Sequence, residues 1–159
     1  MLLRLLWKPE HQTLLSTNGI DMEREDALIS LLGEELRRQL GDRYKVNQNY
    51  LSASLESEPS TRPDLVVWPQ DEPKRPYIVE FKFTNRDFDL PLSTASQMVR
   101  ILQANREFEP VLILATSAHV GKLLRAELNA QNVEVIEGEE PNTLVSNIAK
   151  TIEAKHGGR

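Results

Sequence analysis

The chain reads as an α/β domain built on a central mixed β-sheet flanked by helices. Three observations predict this. In the second half, strand-like runs alternate with helical patterns, which favours parallel strands joined by helices. In the first half, two short runs rich in Val, Ile and aromatics flank a Pro-rich spacer, as expected of an antiparallel hairpin. Finally, Pro110-Val111-Leu112-Ile113-Leu114-Ala115-Thr116 is almost continuously apolar, the composition of a strand covered on both faces.

Taken in order, residues 1–20 predict one or two short strands, Leu2 to Trp7 and Gln12 to Leu15, before Ser16-Thr17-Asn18-Gly19 breaks the pattern. Asp21 is a suitable N-cap, and Glu23 and Glu25 complement the helix dipole in the first turn. Leu28, Ile29, Leu31, Leu32, Leu36 and Leu40 then recur at helical period until Gly41, predicting a helix over Asp21–Leu40. Arg43 to Leu51 alternates loosely and predicts a strand. The polar run from Ser52 to Thr61 predicts a loop, in which Glu56 and Glu58 read as solvated. Thr84 to Leu92 predicts an irregular loop. A helix follows from Ser93 to about Glu107 or Phe108, with Ala95, Met98, Val99 and Leu102 inward. After the apolar strand comes a helix with Val120, Leu123, Leu124 and Leu128 inward and Ser117 as its cap. Val133–Ile136 is a short strand. Pro141–Lys155 is a terminal helix, and His156 to Arg159 should fray.

Composition sets bounds. The 159 residues are 40% hydrophobic and 27% charged, which fits one globular domain over 1–159. There is no cysteine, so disulfides and thiolate metal sites are excluded. The three histidines (His11, His119, His156) show no metal-ligand spacing. Met1 to Trp7 is apolar but too short to span a membrane, and Lys8-Pro9-Glu10-His11 is no signal-cleavage context. A cytoplasmic protein without membrane association is expected. The net charge of −5 argues against broad non-specific nucleic-acid binding but leaves room for a local basic groove.

The candidate chemistry lies in the hairpin, Arg62-Pro63-Asp64-Leu65-Val66-Val67-Trp68 against Tyr77-Ile78-Val79-Glu80-Phe81-Lys82-Phe83. A turn centred between Glu72 and Pro73 sets Asp64 opposite Phe81. Glu80 and Lys82 share one face of their strand, because side chains repeat every second residue. Asp64 then lies beside both, within one register step. Solvated edge-strand charges are the bland alternative for an isolated Glu-x-Lys. With Pro-Asp upstream, two carboxylates and an ammonium converge. Neighbouring carboxylates repel, and a divalent cation such as Mg²⁺, which takes carboxylate and water oxygens, would hold them together.

Pro63-Asp64 followed by Glu80-Phe81-Lys82 resembles the signature of the PD-(D/E)XK nuclease superfamily, the restriction-endonuclease-like fold. The resemblance implies that Asp64 and Glu80, with the Phe81 backbone carbonyl, bind Mg²⁺ (or Mn²⁺ in its place), and that Lys82 assists the hydrolytic water. It also implies an αβββαβ core over about 21–116, followed here by a helix–strand–helix extension. Glu25-Asp26-Ala27-Leu28-Ile29-Ser30-Leu31-Leu32 is similar to the first helix of archaeal Holliday-junction resolvases, which implies Glu25 as a further metal ligand; Glu23 competes for the role. Several branches of the superfamily place a Gln in the helix after the Glu-x-Lys strand, here Gln97. One branch carries Gln-x-x-x-Tyr, whereas this chain has Ile101 at the aromatic position. Arg62, Arg86 and Arg100 are candidate phosphate contacts.

The expected function is metal-dependent hydrolysis of DNA phosphodiester bonds, in repair, recombination or restriction. The alternative is a non-catalytic module of the same fold that binds nucleic acid or a protein. Small size points to a homodimer or to a subunit of a larger complex.

Overall fold

The computed structural model describes residues 20–48, 62–84 and 87–158, with side chains of the first helix from Glu25 onward. In chain order the elements are α1 (Ile20–Leu40), β1 (Tyr44–Gln48), β2 (Leu65–Pro69), β3 (Tyr77–Lys82), α2 (Ser93–Ala104), β4 (Val111–Thr116), α3 (Lys122–Ala130), β5 (Glu134–Glu137) and α4 (Pro141–Gly157). The five strands lie in sequence order in one sheet. β1, β2 and β3 run antiparallel, whereas β3, β4 and β5 run parallel through the α2 and α3 crossovers. The mixed sheet and the αβββαβ order are those of the restriction-endonuclease-like fold.

Strand alternation sorts the core into two layers. Leu65, Val67, Val79, Phe81 and Ile113 face α1 and α4, where they meet Leu32, Leu36, Leu144 and Ile148. Val66, Ile78, Leu112 and Leu114 face α2 and α3, where they meet Met98, Ile101, Leu124 and Leu128. α1 comes close to the sheet at Gly33, where an added Cβ would stand 3.0 Å from the Leu65 side chain. Gly41 ends the helix at φ +80°, a conformation costly for other residues.

Several local expectations are corrected. α2 stops at Ala104, short of Glu107, because Asn105 closes it: its side-chain amide donates to the Ile101 carbonyl at 2.8 Å and its backbone N–H to Leu102 at 3.1 Å. Ser117 does not cap α3, which follows Gly121 instead. Its hydroxyl donates to the Thr84 carbonyl at 2.8 Å and accepts the Thr84 N–H at 3.0 Å, joining the chain beyond β3 to the chain beyond β4. Leu123, expected inward, is 73% exposed. The strands expected before residue 20 and the loop over 52–61 lie outside the described residues, and the strand expected to Leu51 is described only to Gln48.

The largest correction concerns His156. Its expected fraying is replaced by burial, since α4 runs to Gly157 and the imidazole is only 6% exposed. Nδ1 lies 2.6 Å from the Tyr44 hydroxyl and Nε2 lies 2.8 Å from the Asp71 carboxylate. This tie joins the last turn of α4 to the first residue of β1 and to the β2–β3 turn. Replacing His156 with Ala removes a buried hydrogen bond to the Tyr44 hydroxyl and the contact with Asp71, a loss of about 1–3 kcal/mol. Urea denaturation should show a lower midpoint at unchanged m-value. An unchanged midpoint would mean the tie contributes no net stability.

Candidate active site

The site is built at the end of the β2–β3 ladder. Leu65 pairs with Val79 and Val66 with Ile78, so the register continues to set Asp64 level with Glu80. This is one step from the Phe81 partner that the turn composition predicts. Asp64 nevertheless touches Phe81, because its Oδ2 accepts the Phe81 N–H at 2.8 Å. The ladder has ended there, and the aspartate side chain takes the hydrogen bond that a further β2 carbonyl would have accepted. In a strand the N–H and C=O of one residue point the same way, so the Phe81 carbonyl also leaves toward Asp64. The next residue points the other way. The Lys82 carbonyl accepts the Thr116 hydroxyl at 2.8 Å and the Ser117 N–H at 3.2 Å.

Alternation places Asp64, Glu80 and Lys82 on the α2–α3 side of the sheet, in line with Val66 and Ile78. Glu80 is 5% exposed, and its Oε2 is buried with no hydrogen-bond partner. Burial pushes the Glu80 carboxyl well above the usual carboxylate range, and the charge of Asp64 and a hydrogen bond between the two carboxyls push the same way. Burial also raises Asp64, opposed by its hydrogen bonds with Glu80 and the Phe81 N–H. Glu25, from α1, is raised first by burial and then by the charge of Asp64, while Lys82 pulls it down. The structure therefore brings Glu25, Asp64, Glu80 and Lys82 into one electrostatic cluster, in which burial and mutual repulsion raise the proton affinity of the carboxyls.

The remaining candidates are less concentrated. Gln97 is half-buried on α2 and Arg100 is exposed; no described hydrogen bond joins either to the cluster. Arg100 instead lines a groove between α2 and α3 with Leu123 and Glu127. Arg62 is half-buried two residues before Asp64, and Arg86 lies outside the described residues, as does the Glu23 side chain. Sequence reasoning missed Thr116. Fully buried, it holds the Lys82 backbone and accepts the Ala118 N–H at 2.9 Å. A polar residue ending an apolar strand was its one visible signal.

Among the described residues no three His, Cys, Asp or Glu side chains are arranged to hold a metal by themselves. Asp64 and Glu80 with the Phe81 carbonyl make a smaller donor set of hard oxygens, which suits Mg²⁺ completed by water and substrate. The buried, unpartnered Glu80 oxygen fits such a group, since it lacks the donor that burial ordinarily demands.

Compared with known proteins, no family model matches the chain, and no curated protein sequence matches it. Among solved structures, the fold is similar to that of a repair endonuclease from Pyrococcus abyssi, at a TM-score of 0.50 and 20% identity. The similarity covers 74% of this chain and 47% of that one, so this chain spans about half of its neighbour's length.

The raised carboxyls have a consequence for stability. A carboxyl whose folded-state pKa is raised stabilises the protein fully below its ordinary pKa of 4.5 and loses that contribution as pH rises through the raised value. Glu80→Gln keeps the shape and removes the charge. In metal-free buffer at pH 7 to 8 it should melt higher than wild type, by roughly 2–4 °C for each kcal/mol of burial cost relieved. The gap should close toward pH 4. A variant that melts lower at neutral pH would show that the ionised Glu80 is already well compensated.

Proposed function

We propose that this chain is a metal-dependent nuclease of the PD-(D/E)XK type, hydrolysing DNA phosphodiester bonds. The observation that carries this reading is the buried Glu80 carboxylate oxygen without a partner, set beside Asp64 and Lys82 at one end of the sheet. A structural ion pair would have been closed by its own hydrogen bonds. The likeness to a repair endonuclease supports the fold on which such a site is built.

Asp64, Glu80 and the Phe81 carbonyl would hold Mg²⁺, with Mn²⁺ as a substitute and Glu25 contributing through a bound water, since three described acidic side chains do not converge on one point. The metal would make a bound water more acidic and offset charge building on the phosphate. Lys82, half-buried on the same face, would orient that water through its ammonium protons or take a proton from it. The Asp64 carboxylate is already aimed by the Phe81 N–H. Lys82 is positioned through its backbone by Thr116 and Ser117, which reduces the reorganisation that turnover would require. Arg62, Arg86, Gln97 and Arg100 are proposed phosphate contacts in the DNA complex. Cutting both strands of a duplex would need a second copy or another subunit, since the described residues form one such cluster.

Titration calorimetry with Mn²⁺ and Mg²⁺ tests the metal site without a choice of substrate. Saturable binding is expected, abolished by Asp64→Ala and by Glu80→Ala. It should strengthen as pH rises, because the carboxyls must release their protons to ligate. Lys82→Ala should retain metal binding and lower the rate of DNA cleavage by about 10²–10⁴-fold. Metal bound equally well by both carboxylate variants would overturn the site, and the non-catalytic binding module would become the better reading.

A further inference from the structure

Asp64 is not alone on its sheet face. β2 and β1 pair Val66 with Asn47 and Trp68 with Lys45, so Asn47, Lys45 and Trp68 share the face that carries Asp64 and Glu80. On this face β1 contributes Lys45, which is exposed, and Asn47, which is half-buried. A groove of about 400 Å³ lies there, lined by Lys45, Asn47, Trp68, Gln70, Pro73 and Phe108. Trp68 is half-buried and held edge-on by Phe108, with ring centroids 5.0 Å apart, which fixes the indole without requiring it to be fully covered. Along the strand, Trp68 is four residues from Asp64, about 13 Å at the usual rise.

We infer that this groove is a nucleotide-binding site that stacks an unpaired base of the substrate strand on Trp68, a few nucleotides from the scissile phosphate. The chemistry of the lining supports each part. An indole and a proline offer flat apolar surface to a π-face, and any base can use it. Asn47 and Gln70 supply amide donors and acceptors for base edges. Lys45, exposed directly beside Trp68, is the cation for the adjoining phosphate. A paired base presents its faces only to its stacked neighbours, so the site selects single-stranded or flipped nucleotides over intact duplex. This inference rests on the nuclease reading, because it uses the shared face to run one strand from the carboxylates to the tryptophan.

The test is anisotropy of fluorescein-labelled (dT)12 on the full chain in EDTA, where no cleavage occurs, with dTMP and a 12-base-pair duplex as competitors. Wild type should bind the single strand, with the duplex a poor competitor. Trp68→Ala should weaken binding by about 5- to 150-fold, the range for loss of one stacked base. Trp68→Phe should retain most of the affinity, and it guards against a folding defect in the alanine variant. Lys45→Ala, at an exposed position, should lower the slope of log K against log salt by about 0.7. Competition by dTMP would assign the groove to a single nucleotide, and competition only by oligomers would assign it to a strand path; both depend on Trp68. Binding that is indifferent to Trp68 and Lys45 in folded variants, or a duplex that binds as tightly as the single strand, would overturn the inference. Metal calorimetry on the same proteins separates the two readings. Trp68-dependent binding without a metal site keeps the groove and defeats the nuclease; a metal site with Trp68-independent binding does the reverse.

Discussion

The end of the β2–β3 ladder is the constraint on which the rest depends. Asp64 accepts the Phe81 N–H at a point where β2 no longer supplies a backbone partner, and this contact draws a carboxylate against a second, buried one. Two such groups cannot both be charged in a dry site without compensation. Every neighbouring feature bears on that conflict. Burial raises the carboxyl pKa values, Lys82 lowers them, and Glu25 adds a third acidic group from a helix packed on the opposite side of the sheet. The protein holds a locally unfavourable arrangement in place with a core that is favourable almost everywhere else, a pattern expected of functional rather than structural charge clusters.

β3 bears this arrangement because of its place in the sheet. It is the strand at which antiparallel pairing changes to parallel, so it is hydrogen-bonded on both sides and covered on both faces. Its final residues extend beyond the β2 ladder but not beyond β4, where Lys82 is still level with Thr116. On one side of the strand end the β2 ladder has stopped and Asp64 takes the Phe81 N–H, while the other side is fastened by the Thr116 hydroxyl and the Ser117 amide. The carboxylates at this end thus sit on a rigid support, which is what positioning of a reacting group would require.

Much of this was legible in the sequence, and the reasons are local. Helical period set α1 within a residue, apolar continuity identified β4, and the alternation of Glu80 with Lys82 placed both on one face. The hairpin register was read one step off because turn composition fixes a midpoint only to within a residue, whereas pairing is decided by which residues enter the core. The end of α2 and the cap of α3 were misread because the Asn105 and Ser117 side chains can serve several backbone partners, and tertiary position selects one. Leu123 fits the apolar pattern of α3 yet points to solvent, since periodicity describes a stripe wider than the surface it meets. His156 carried no sequence signal, because Tyr44 and Asp71 lie 112 and 85 positions away.

That separation has a consequence for the order in which the molecule assembles. The hairpin and the β3–α2–β4 crossover join residues close in sequence, whereas the Tyr44–His156–Asp71 tie closes a loop spanning most of the described chain. Closing so long a loop early would cost entropy before the intervening strands could repay it. A tie of this span is therefore expected to form after the transition state. An interaction formed that late does little for the speed of folding and acts mainly by slowing the escape from the native state. The far end of the sheet would thus serve as a kinetic latch for the end that carries the carboxylate cluster.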